Sequence, residues 1–138
     1  MYRHALLLVG VVTATVLGAC GSQAAPSSTT AGVRPASPAH LTIVSPANGA
    51  VITGTSIPVV VEVTGATIVQ QTSTHISPTQ GHVHLFLDNT LTYMSYTLHE
   101  DLPVSHTGTY VLRAEFVASD HVPFNPRVVT ADVLVTVR

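Results

Sequence analysis

The histidines are the residues of this sequence best suited to chemistry. Six of the eight lie between His75 and His121, in a chain of 138 residues of which only 9% are charged. His82 and His84 are one residue apart, and on a β-strand the side chains at i and i+2 leave the same face about 6.6 Å apart. Asp120 and His121 add a carboxylate and a third imidazole. Imidazoles with a carboxylate favour zinc or copper(II) and do not make a calcium site.

Such a site needs strands that bring two distant segments together. Apolar and polar residues alternate, β-branched residues are enriched, and turn residues recur about every dozen positions, which predicts an all-β immunoglobulin-like antiparallel β-sandwich of about seven strands. In that fold the third strand, which carries His82, and the sixth, residues 110–118, are antiparallel neighbours. The start of one strand then lies beside the end of the other. We therefore predict a metal site, for copper or zinc, made of His82, His84, Asp120 and His121.

The remaining histidines divide between the site and other parts of the domain. His75 lies in a Thr/Ser/Gln-rich connection from Gly65 to Gly81, and connections of this length are usually functional or mobile. It is an additional candidate ligand. His99 and His106 are expected to fall toward other edges of the domain.

The predicted core follows from the apolar face of each strand. Along residues 110–118 the alternation turns Leu112 and Phe116 inward and Glu115 and Val117 outward. A single closing strand is expected to turn Val129, Ala131, Val133, Val135 and Val137 inward. The ten core residues that we predict are Val59, Val61, Val63, Leu85, Leu87, Tyr110, Leu112, Phe116, Val133 and Val135.

The N-terminal end carries signs of export. One fixed positive charge precedes an apolar run from Ala5 to Leu17, which predicts a signal peptide over residues 1–19. The run is shorter than the about 20 residues of a membrane-spanning helix. Leu17-Gly-Ala-Cys20 resembles the lipobox of bacterial lipoproteins, which implies cleavage before Cys20 and attachment of diacylglycerol to its thiol. Cys20 is the only cysteine, so it has no disulfide partner in the chain.

An acylated Cys20 implies a lipid-anchored protein on the extracytoplasmic face of the cell membrane, since two acyl chains anchor stably. Residues 20–39 are small, polar and proline-rich, which predicts a flexible tether. Residues 40–138 then form one domain of common size. The chain has no lysine, and four arginines after Cys20 face seven carboxylates. This composition lacks the basic surface that nucleic-acid binding requires.

Short segments of the chain resemble two known families. Gly81-His-Val-His-Leu-Phe-Leu-Asp88, followed by Asp120-His-Val-Pro-Phe-Asn-Pro126, resembles an uncharacterised family of bacterial extracytoplasmic immunoglobulin-like domains, with Val83 in place of that family's middle histidine. The resemblance covers the second half of the domain and implies the fold and the pairing of these two segments. Ser45-Pro-Ala-Asn-Gly-Ala50, Gly108-Thr-Tyr110 and Asp120-His121 are similar, more distantly, to periplasmic copper-carrier domains.

The sequence favours binding over catalysis. It contains no Gly-x-Ser-x-Gly elbow, and Ser105 and His106 are adjacent, which rarely gives triad geometry. No paired carboxylates are visible, so we predict that the protein is not an enzyme. The alternative to a metal-binding lipoprotein is a surface, adhesive or structural interaction module with no metal, which binds an envelope partner through a sheet face. A metal binder requires clustered imidazoles, whereas an adhesive module gains little from them.

Overall fold

The strands follow the alternation of β-branched and polar residues through residues 33–138, the part of the chain that the computed structural model describes. They are β1 (His40–Ser45), β2 (Ala50–Ile52), β3 (Ser56–Thr64), β4 (Thr67–Ile68), β5 (Gln80–Leu87), β6 (Thr90–Ser95), β7 (His99–Pro103), β8 (Gly108–Ala118), β9 (Pro123–Val129) and β10 (Val133–Val137). No helix in the described residues is long and apolar enough to cross a membrane.

The ten strands form two sheets. One contains β1, β3 and β7, and the other runs β2-β10-β8-β5-β4, with β6 beside β5 and β9 beside β8. The β2–β10 and β4–β5 pairs are parallel, and the other pairs are antiparallel. This architecture confirms the predicted immunoglobulin-like sandwich. The additional strands are mostly short elements at its edges.

The core lies between the two sheets. Of the ten predicted core residues, eight are buried, and Val63 and Val133 are partly buried against them. Phe124 also enters the core, stacked on Phe116 with ring centroids 5.8 Å apart. Tyr110, at the start of β8, donates its hydroxyl hydrogen to the carbonyl oxygen of His106 at 2.7 Å. This is the tyrosine corner of immunoglobulin-like sandwiches.

The strand pair that positions the site is β5 with β8. The two strands are antiparallel and pair from Gly81 with Ala118 to Leu87 with Leu112, as predicted. Gly81 allows the close approach at the end near His82, since a Cβ added there would collide with the carbonyl oxygen of Val117. Glycine is therefore the residue that fits at this position.

The end of the chain differs from the prediction. In place of the single closing strand that was predicted, the end of the chain contains two strands, β9 and β10, which both lie beside β8. Val129, at the end of β9, is 46% exposed, and Ala131, between the strands, is also exposed, so neither lies in the core. Strand alternation had predicted both inward, but the break at residues 130–132 interrupts the period of two.

The outer face of β8 is covered instead of open to solvent. Glu115 and Val117 point away from the core, as predicted, yet both are at most 1% exposed. β9 pairs with β8 at Glu115, Phe116 and Val117, and the chain beyond β4 crosses nearby through a hydrogen bond from Ser73 N to Ser119 O. The outer face of β8 is therefore shielded from solvent at Glu115 and Val117.

Part of the segment predicted as tether contacts the domain. Ala39 is buried in the core, and the carbonyl oxygen of Pro35 accepts a hydrogen bond from Asn125 N. Arg34 is bound to the turn between β8 and β9. The predicted signal peptide and Cys20 lie outside the described residues.

Candidate metal centre

His82 and His84 lie on the outer face of β5, opposite to the face that contributes Val83 and Leu85 to the core. Despite that position they are only 1% and 6% exposed. Val117 of β8 lies directly opposite His82. The sequence predicts the shared face of the two imidazoles, and the strands and loops around β8 bury them.

His121 reaches the same place from the turn that joins β8 to β9. Its backbone N–H donates to Ala118 O at 2.9 Å, and Ala118 N donates to Val122 O at 3.2 Å. His121 has φ +64°, a left-handed conformation in which histidine is among the enriched residues. The turn places the His121 ring against His82, with the ring centroids 4.5 Å apart.

His82, His84 and His121, which we call the histidine cluster, converge closely. One ring nitrogen from each lies within 4.8 Å of the other two. His82 Nε2 and His84 Nε2 are 3.1 Å apart. Nδ1 of His82 and Nδ1 of His121 are buried without a hydrogen-bond partner. Buried ring nitrogens without partners carry a desolvation penalty of about 1–3 kcal/mol each.

Two neighbouring side chains enclose the cluster. Thr72, in the connection between β4 and β5, places its hydroxyl oxygen 3.1 Å from His121 Nε2. Tyr96, just after β6, has its ring 5.1 Å from the His82 ring. The long connection predicted to be functional or mobile therefore supplies a direct contact to the cluster.

The surroundings favour the neutral form of His82 and His84. Burial lowers the pKa of His82 from 6.5 to about 4, and positive charge on His84 or His121 would lower it further in the same direction. Burial and then His121 also lower the pKa of His84, partly opposed by the nearby Glu115 carboxylate. Neutral imidazole is the form that coordinates metal ions.

Asp120 is not brought into the cluster. Its two carboxylate oxygens accept hydrogen bonds from Arg34, at 2.6 and 3.0 Å, and these bonds hold the pKa of the carboxyl below its usual range. The prediction included Asp120 because antiparallel pairing brings the end of the sixth strand, which Asp120 and His121 follow, beside His82 and His84. Successive residues of this turn point in different directions, so Asp120 faces Arg34 while His121 faces β5.

The second acidic group near the cluster is Glu115, opposite His84 on β8. Its two oxygens accept hydrogen bonds from Arg127 of β9 at 2.6 and 2.5 Å. The pairing neutralises a carboxylate that is almost completely buried. Both acidic groups near the cluster are therefore engaged by arginines.

The other histidines of the described region stand apart from the cluster. His40, His75, His99 and His106 are exposed, and none belongs to the group of converging ligands. His106 instead contacts the Tyr110 hydroxyl, with Nδ1 3.0 Å from its oxygen.

Four neighbours of the site were not predicted from the sequence: Thr72, Tyr96, Glu115 and Arg34. Thr72 and Tyr96 lie in irregular segments that carry no periodic signal. Glu115 offered one usable signal, because a carboxylate in the middle of an otherwise apolar strand needs a partner if both faces of the sheet are covered.

Comparison with known proteins bears on the fold alone. No family of known proteins matches the chain, and none of the curated proteins does. Among solved structures, the chain is similar to the fibronectin(III)-like modules of Clostridium thermocellum CbhA, with a TM-score of 0.52 and 24% identity over 70% of this chain and 93% of that one. The likeness supports the immunoglobulin-like sandwich fold.

Proposed function

We propose that this protein is a membrane-anchored extracytoplasmic lipoprotein whose immunoglobulin-like domain binds a transition metal ion, copper or zinc, through His82, His84 and His121. The observation that carries the metal proposal is the convergence of one ring nitrogen from each imidazole within 4.8 Å. Imidazole is a preferred ligand of both zinc and copper.

The spacing of the nitrogens fits coordination. Two nitrogens each about 2.0–2.1 Å from a tetrahedral ion are about 3.3–3.4 Å apart. His82 Nε2 and His84 Nε2 are 3.1 Å apart. An ion between them would replace their mutual hydrogen bond with two coordinate bonds, and a small rotation of the His121 ring would complete a three-nitrogen set.

Thr72 orients the third ligand. A metal-binding histidine usually donates its other ring N–H to an outer partner, which fixes the tautomer and the ring plane. A His121 that donates from Nε2 to the Thr72 hydroxyl keeps the lone pair of Nδ1 available. This is the nitrogen that is buried without a partner, so coordination would satisfy it.

We propose binding in preference to catalysis because the acidic groups near the cluster are already engaged. Asp120 is paired with Arg34 and Glu115 with Arg127, so neither carboxylate is free to act as a general base. Asp120 therefore enters this proposal as a residue that fixes the turn, outside the ligand set.

The metal proposal is tested on the mature protein, purified without a histidine tag. Calorimetry should show one zinc or copper(II) ion per chain at neutral pH, and an ion at a hundred times its Kd should stabilise the fold by about 2.7 kcal/mol. The double variant H82A/H121A should lose both effects. The matched control H75A/H99A removes two exposed histidines outside the cluster and should retain them. Absence of binding by the wild-type domain would refute the proposal.

The anchor proposal rests on the lipobox-like residues Leu17 to Cys20 and has its own test. Labelling with a radioactive fatty acid should mark the wild-type protein and leave Cys20→Ser unlabelled and uncleaved at that position. Recovery of an unlipidated wild-type protein from the medium, with a different mature N-terminus, would contradict the anchor and leave the metal proposal standing.

A second candidate, an interaction module without metal, is favoured by one feature of the surface. Of the described strands, β6 pairs only with β5, and its Leu91 and Tyr93 are 44% and 43% exposed. Exposed edge strands with apolar side chains are sites where partner strands add. Photo-crosslinking from position 93 in intact cells would capture an envelope protein under this function.

A further inference from the structure

Met94 lies beside the histidine cluster on the outer face of the large sheet. Met94 of β6 is the direct cross-strand partner of His84, while the next pair, Val83 with Ser95, faces the core. Side chains of directly opposed residues share a face, with Cβ atoms about 4.5–5.5 Å apart. Met94, His84 and Glu115 therefore form one row across β6, β5 and β8.

The two flanks of His84 in this row differ chemically. Glu115 on one flank is buried and bound by Arg127 through both oxygens. Met94 on the other flank is 45% exposed, so its thioether is not committed to packing in the core. Of the two cross-strand neighbours of His84, Met94 is therefore the one with an uncommitted donor atom. Methionine has three rotatable bonds and adapts readily to an irregular site.

We infer that Met94 provides a fourth, thioether ligand and that the centre thereby selects copper(I). This inference rests on the proposed histidine centre and deepens it by naming the ion. Soft thioether sulfur favours copper(I), whereas zinc is well served by nitrogen ligands alone. Three imidazoles and one thioether are neutral donors, and a monovalent ion requires less neutralisation in a buried site than a divalent ion does.

The route to the ion lies on the same side. A surface groove of about 390 Å³ is lined by Leu91, Thr92, Tyr93, Met94 and Tyr96. Tyr96 also contacts the His82 ring. The groove therefore adjoins the cluster at its Met94 edge, where a thioether ligand would meet an incoming or departing ion.

The test measures copper(I) and zinc affinities separately, on the mature protein, by competition with chromophoric chelators under anaerobic conditions. Met94→Leu retains size and hydrophobicity but removes the sulfur. It should weaken copper(I) binding at least about tenfold, because removal of even an outer partner of a metal ligand has an effect of that size. The zinc affinity should be nearly unchanged. Leu134→Ala, at a similarly exposed position of β10 outside the groove, is the control and should change neither affinity.

X-ray absorption on the copper(I) protein gives an independent readout. A sulfur scatterer should be present in the wild type and absent in Met94→Leu. Unchanged copper(I) affinity in Met94→Leu, with only nitrogen scatterers in the wild type, would overturn the role of Met94 while the three-histidine centre stands. Failure of the wild type to bind either ion would overturn both.

Discussion

At the residue scale, the unusual feature is a histidine kept neutral on the outer side of a sheet. His82 is 1% exposed and has no carboxylate partner, and its burial lowers its pKa to about 4. Because the pKa is about 6.5 in the unfolded chain, the unfolded state binds more protons than the folded state between these two values. Stability contributed by neutral His82 is therefore complete above pH 6.5 and is lost as pH falls toward 4.

This protonation difference predicts a pH-dependent stability in the metal-free protein. From pH 6.5 downward, the free energy of unfolding should fall by up to about 1.4 kcal/mol per pH unit through His82. Chemical denaturation in the presence of a chelator, repeated from pH 7.5 to 4.5, measures the slope. His82→Gln should reduce the slope, leaving the part that comes from His84, whereas His75→Gln, at an exposed histidine, should not change it. Equal slopes in the wild type and His82→Gln would show that folding does not lower the pKa of His82.

At the element scale, the turn between β8 and β9 depends on a residue from the segment before β1. Arg34 donates four hydrogen bonds to this turn, two to Asp120 and one each to the carbonyl oxygens of Val122 and Pro123. The turn also carries His121, whose ring must lie over β5 for the histidine cluster to form. Arg34 is thus a positioning residue for the proposed third ligand.

Removal of this arginine should affect stability and metal affinity together. Arg34→Gln should cost about 1.5–3 kcal/mol of unfolding free energy, the range for hydrogen bonds to charged groups. It should also weaken zinc binding about tenfold, because outer residues that orient ligands contribute at that level. Denaturation and chelator competition measure the two effects. Arg138→Gln, at the opposite end of β8, is the control. Unchanged affinity would mean that the hairpin alone holds His121.

β9 has a similar double role. It pairs with β8 along the edge of that strand and supplies Arg127, which binds the buried Glu115 beside His84. The Glu115 carboxylate partly opposes the lowering of the His84 pKa. Substitutions in β9 are therefore expected to affect the histidine cluster through Glu115, although no residue of β9 belongs to that cluster.

At the scale of the whole molecule, a single core holds the two sheets together without a disulfide in the described region. Leu112 of β8 is completely buried at its centre, in the strand that also ends at the His121 turn. Leu112→Ala should lower the unfolding free energy by about 2–5 kcal/mol, because it leaves a cavity. Thermal or chemical denaturation measures the loss. The exposed Leu134→Ala is the control, and an equally small effect at both positions would contradict the assigned core.

The sequence by itself determined the features that depend on local geometry. Strand alternation put His82 and His84 on one face, and it selected a core in which Leu85, Leu112 and Phe116 are buried. General rules of sandwich topology then paired β5 with β8 and brought His121 to the cluster. These predictions succeeded because a period of two and antiparallel pairing constrain direction and register strongly.

Only the tertiary structure decided what covers the outer face and which neighbours each polar group finds. Asp120 faces Arg34, 86 residues away in the sequence, and so lies outside the histidine cluster. Met94 lies beside His84 because of a register that includes an irregularity between Leu85 and Phe86. Alternation tells which way a side chain points. Whether that side is covered, and by which residue, depends on contacts between distant segments that no local pattern encodes.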